Sequence, residues 1–427
     1  MNASAHTEAM TTLTSANATS QRSPRARSGR AHGAGFWVIA AAFLLVMAFS
    51  TIPTPLYSLY QARDGFATFL LTVIFAVYAV GVIASLYLAG HISDWLGRRR
   101  ILLIAVLIEL LAAVLFLVWP SVPGLLIARF ISGVGVGALT ATATAHLSEL
   151  RAVARPGEDG RFSSTISTFV NNGGLALGPL IAGIIAQWVA GPLEVPYVLF
   201  IVLLAVAAIA VAFVPETVQR PSLVDGRRQR HGYRPQRMSL PRESRGAFWS
   251  AAIAALSAFA IFGLFTSLAP SFLAGTLHET SHFVAGVVTF SVFGAAAVAQ
   301  LATNRMPLVA QVRLAATLMA IGLAALSVGA LLANLPLFIV AGIVAGAGVG
   351  VQFRSSVAVA ASLALPPRRG EVMAALFLVA YLGLTVPVLL VGLALAFLPS
   401  AAVLVGFSVV VIVLAVGSSL AMANRKA

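Results

Sequence analysis

Three charged side chains stand inside long apolar runs of this sequence, and each could do chemistry there. Glu109 lies near the centre of the run that begins at Ile101. A carboxyl in such a place can switch between charged and neutral forms, which makes it a proton carrier by default, or a neutral hydrogen-bonded structural residue. Arg129 opens the pattern Arg129-xxx-Gly133-x-Gly135-x-Gly137. A guanidinium in a span is costly and rarely idle, and the glycines permit close helix approach. Arg354 reads as a substrate or anion contact, or as a side chain that snorkels to the interface. Asn171, Asn172 and Gln352 are further polar groups suited to a substrate cavity, together with Arg354. His146 and Glu149 close the fourth apolar run and suggest a gate pair, with His146 joining Glu109 as a proton-coupling candidate.

One motif points to different chemistry. His278-Glu279-Thr-Ser-His282 fits the zinc-protease pattern, which needs both histidines on one face of a helix and a third ligand. Here it falls in a short connection. No aspartate follows Asp225, and the later acid, Glu371, is predicted on the opposite side of the membrane. A polar turn in which Ser281 caps the next helix is the expectation, with no metal site. The chain has no cysteine, which removes disulfides and thiolate chemistry. A phosphate-binding loop needs a lysine, and the lysine here is Lys426, near the C-terminus. Neither enzyme activity nor a bound cofactor is expected, so the energy source is expected to be an ion gradient or the substrate's own gradient.

The elements that hold these residues follow from composition. Of 427 residues 59% are hydrophobic and 9% charged, and the mean hydropathy is +0.97. A soluble domain carries about 25% charged residues, so lipid is the solvent for much of this chain. The apolar runs do not alternate with period two, which leaves helices rather than a barrel. Spans are predicted near 36–59, 67–91, 101–119, 122–148, 163–190, 196–214, 247–273, 283–302, 312–332, 336–363, 371–397 and 400–422.

The net charge of +14 invites a nucleic-acid reading, but the basic residues sit between spans. All but three of the 27 fall on one side when the N-terminus is placed in the cytoplasm. The exceptions are Arg63, Arg129 and Arg354. Arginine over lysine, with abundant alanine, suggests a bacterial source, hence the inner membrane with both termini cytoplasmic. The expected organisation is a disordered tail at 1–34, a six-helix half at 35–214, a basic cytoplasmic linker at 215–246, a second six-helix half at 247–422 and a short tail at 423–427. The glycine pattern at 132–137 returns at 345–350, and Gly174-xxx-Gly178-Pro179 has a partner in Gly383-xxx-Pro387. Two halves repeated in this way enclose a substrate site near the midplane.

Gly90-His-Ile-Ser-Asp94-Trp-Leu-Gly97-Arg98-Arg99-Arg100 resembles the loop between helices two and three of the major facilitator superfamily. In that family the loop latches the two halves. The resemblance implies Glu149 as a partner for Arg98, and the start of helix eleven near Glu371 for Asp94. It also implies a part in proton transfer for Arg129. On helix five, Gly174-Leu-Ala-Leu-Gly178-Pro179-Leu-Ile-Ala182-Gly183 is similar to the antiporter motif of drug-exporting members, with Ala182 where a glycine is common. Val214-Pro215-Glu216-Thr217 resembles a helix-six ending found in several branches. Two departures matter: helix one has no acid, unlike related exporters, and helix three is usually peripheral in the family. The implied protein is an all-α, twelve-helix carrier set in the lipid bilayer and expected as a monomer. It is expected to export small amphipathic or drug-like compounds in exchange for protons. The alternative is an importer of an organic acid or other metabolite.

Overall fold

The computed structural model describes residues 24–89, 96–218, 244–364 and 369–423. Twelve helices long and apolar enough to cross a membrane make up most of it. They are α1 (Gly29–Asp64), α2 (Thr68–Tyr87), α3 (Arg98–Val118), α4 (Val122–Ala154), α5 (Arg161–Trp188) and α6 (Val195–Ala212) in the first half. The second half holds α7 (Arg245–Thr276), α8 (His282–Ala302), α9 (Leu308–Leu331), α10 (Leu335–Leu363), α11 (Gly370–Ala394) and α12 (Ser400–Ala423). No strand occurs among the described residues.

Local chemistry sets several helix starts. Proline stands at the first positions of α4, α6 and α10, where its missing N–H is not needed. Ser281 caps α8 by accepting from the Val284 amide, as predicted, and Asn334 does the same for α10 at Leu337. The helix that contains α1 begins at Pro24, earlier than the predicted end of the tail. Gly29 and Gly33 allow this extension to lie against Ala154 at the end of α4.

The two halves repeat each other in packing. In the first half, α4 packs on α1, α2 and α3, α1 packs on α5 and α6, and α3 packs on α6. Adding six to each number gives the main pairs of the second half. The halves meet where α5 crosses α8 and where α2 crosses α11. The repeat extends to irregularities: α1 breaks at Ile52 before Pro53, and α7 carries a π-helical turn at Leu264–Leu268. Both lie beyond the middle of their helices. Apolar side chains of α3, α6 and α12, such as Leu111, Val206 and Val410, are exposed, as lipid-facing positions require.

Candidate functional site

The basic connections define one face of the bundle. Toward the opposite face, the outer parts of α1 and α7 are buried and pack on each other and on α8. Gly183 of α5 and Gly286 of α8 face one another so closely that a Cβ at either would strike the other helix's backbone. Gln187 accepts from the Ser281 hydroxyl and the His282 amide at 3.1 Å each, and the Trp188 and Phe283 rings lie 5.0 Å apart. Near the basic face, no comparable packing among the described residues joins α4 to the second half or α10 to the first.

Between these levels lies a narrow central cavity of about 90 Å³, part of it continuous with solvent. Its two walls differ. The first half contributes the polar groups Ser50, Thr51, Thr54, Arg129, Asn171 and Asn172, with the Phe75 and Tyr78 rings beside Arg129. The second half contributes rings: Phe259, Phe262, Phe293, Phe353, Phe377 and Tyr381. Phe262 and Phe293 stack with centroids 4.1 Å apart, and Phe259 lies 5.1 Å from Phe353 and 5.5 Å from Tyr381.

Arg129 is 3% exposed and lines this cavity. Its Nη1 donates to the Ser50 carbonyl at 2.7 Å, at the end of the regular part of α1. Its guanidinium lies 4.5 Å from the centroid of Tyr78 and 5.7 Å from that of Phe75. Its Nε has no hydrogen-bond partner among the described residues.

Glu109 is fully buried on the other side of α4. Gly135 makes room for it: a Cβ there would lie 2.6 Å from Oε1. Neither carboxyl oxygen has a hydrogen-bond partner among the described residues, and the Ser132 hydroxyl is unpartnered too. The repeat sharpens the contrast. Gly133 and Gly137 face α2, as Gly346 and Gly350 face α8, while Gly348 faces Met319 of α9 where Gly135 faces Glu109. The position that corresponds to Arg129 is Gly342, against the Phe265 ring. The acid and the arginine are therefore present in one half only.

The helix-five motif seats α5 on α1. Gly174 packs on Leu44 and Met47, and Gly178 on Ala48 and Thr51. Pro179 has no N–H, so the Leu175 carbonyl loses its helical donor. The Thr51 hydroxyl of α1 supplies a replacement at 3.1 Å.

At the basic face Arg98 meets Glu149 at 3.2 Å, as the resemblance implied. Glu216 accepts from the amides of Arg98 at 2.9 Å and Arg99 at 3.2 Å, so a carboxylate from beyond α6 caps the start of α3. Gly97, with φ of 100°, makes the approach to that cap. The Arg99 side chain donates to the Val214 carbonyl at 3.3 Å. Thr217 donates to Glu149, and His146 Nδ1 lies 2.9 Å from the Thr217 hydroxyl. Gly90 and Asp94 lie outside the described residues.

Several expected cavity groups are elsewhere. Gln352 is buried against Ser419 of α12, with two hydrogen bonds of 3.1 and 3.2 Å. Arg354 reaches the carbonyls of Gln300 at 3.4 Å and Asn304 at 3.5 Å, at the end of α8. Neither lines the cavity: Gln352 points to the helix behind it, and the long arginine reaches toward the basic face. His146 lies beside Glu149, the residue with which it was expected to pair, with its Nδ1 4.0 Å from a Glu149 carboxyl oxygen. The metalloprotease motif does not form a helical face, because His278 sits before α8 with φ of 55°. Sequence reasoning missed the aromatic wall, the Thr51 contact and the capping role of Glu216.

The model of the Major Facilitator Superfamily matches residues 38–386. The chain belongs to this family. With its twelve membrane-spanning helices it is therefore a multi-pass membrane protein of this family, set in the lipid bilayer. A puromycin resistance protein of Streptomyces alboniger is 30% identical over 154 residues, 36% of this chain and 30% of that protein. Monosaccharide-sensing protein 2 of Arabidopsis thaliana is 29% identical over 104 residues, 24% of this chain and 14% of that protein. The matches thus span less than a third of either relative's length. Among solved structures, a mutant of the nucleoside transporter NupG aligns with a TM-score of 0.70 and 12% identity, over 91% of this chain and 99% of that one. The human organic anion transporter MFSD10 aligns with a TM-score of 0.64 and 18% identity, over 92% and 99%. At these identities the shared property is the fold.

Proposed function

We propose that this protein exports small amphipathic aromatic compounds across a bacterial inner membrane by alternating access. The observation that carries this reading is the two-sided cavity, with the arginine and most polar groups on one wall and a mainly aromatic second wall. Its packed side is the one away from the basic connections, so the conformation described here faces the cytoplasm. The α5 motif and the partial match to a puromycin resistance protein support export over uptake.

Protons are the proposed counter-ion, with Glu109 as their carrier and no bound cofactor. Glu109 is buried, lacks hydrogen-bond partners among the described residues, and packs against the helix that carries Arg129. The cluster of Arg98, Glu149, His146 and Glu216 then steadies the inner end of the first half. Expression in a strain stripped of its own exporters tests the function. Lower accumulation of aromatic amphiphiles supports it. Unchanged accumulation across a broad panel, with the protein present in the membrane, overturns it.

A further inference from the structure

We infer that the exported compound carries one negative charge, held by Arg129, beside an aromatic group held by the second half, a reading that rests on the cavity being the transport site. Arg129 is the one fixed charge among the residues that line the cavity, and no carboxylate lines it. A cationic compound would meet a like charge with no counter-ion, at a cost that grows in so desolvated a place. An anion meets a donor already in place: Arg129 is 3% exposed, lines the cavity, and is anchored through Nη1 to the Ser50 carbonyl. The guanidinium carbon lies 4.5 Å from the Tyr78 centroid, a cation–π contact that helps to hold the charge in place.

The rings complete the match. Phe259, Phe262, Phe293 and Phe353 come from the second half, across the cavity from the arginine. A flat aromatic acid spans the two walls, ring toward the phenylalanines and charged group toward α4. Asn171 offers a further amide on the same polar wall. Charge also bears on direction. With the cell interior negative, each 100 mV favours expulsion of a monoanion by about 50-fold.

The test is calorimetric titration of the purified full chain with three probes of one shape: 2-naphthoate, 2-naphthamide and 2-naphthylmethylammonium. The acid is expected to bind at least about tenfold tighter than the amide, and the ammonium weakest. Arg129→Gln should bring acid and amide to parity while amide binding persists, and Arg129→Lys should keep a preference for the acid. Equal binding of acid and amide by the unaltered protein overturns the inference, as does preference for the ammonium or failure of all three to bind. An acid preference that survives Arg129→Gln overturns it too. If Arg129→Gln does not fold, the ratio in the unaltered protein and in Arg129→Lys decides. Arg129-dependent acid binding without transport in vesicles would remove the transport reading alone. Transport of neutral aromatics with equal acid and amide binding would remove this inference alone.

Discussion

Thr51 holds the bend in α5 by donating to the Leu175 carbonyl that Pro179 leaves without its helical partner. Removing the hydroxyl strands that carbonyl in the interior, so Thr51→Val should cost about 1–3 kcal/mol, while Thr51→Ser should cost little. Thermal unfolding in detergent measures both. Glu109→Gln keeps the shape of a buried side chain and removes its proton. It is expected to abolish proton-driven transport and to spare exchange of substrate for substrate. Loss of both would mean that the carboxyl is structural. Glu109 and Arg129 were legible in the sequence because a charge stands out in an apolar run. The rings facing Arg129 were not, since phenylalanine is common throughout, with 25 in the chain, and only packing separates cavity from lipid. Arg354 and Gln352 show the reverse error: polar side chains in a span also satisfy neighbouring helices.

The Gly183–Gly286 approach fixes how closely α5 and α8 cross between the halves. Gly286→Leu should wedge that crossing apart. The chain contains no cysteine, so a single cysteine at Thr54 reports the change cleanly. Its labelling by a membrane-impermeant thiol reagent from the side away from the basic loops should rise several-fold; unchanged labelling would show that the seal lies elsewhere. Glu216 acts between elements in another way, as an anion on the start of α3. Glu216→Ala should lower stability by about 1–2 kcal/mol, read from the unfolding midpoint. The helices themselves were legible from the length of the apolar runs and the prolines and glycines between them. The cap was not, because residues 98 and 216 come together only when α3 packs against α6.

Across the whole molecule, the repeat of packing pairs, glycines and helix breaks argues for two equivalent halves around one site. The chemistry is not equivalent: the cavity's charge lies in the first half and most of its rings in the second. The repeat was visible in the sequence through its glycines, whereas the division of labour needed the cavity. Export by such a carrier is tested most directly in inside-out vesicles that hold the protein at known amount. Energised to be positive and acidic inside, they should accumulate labelled 2-naphthoate, and a protonophore should release it. Vesicles with the protein that take up no more than vesicles without it would contradict the account.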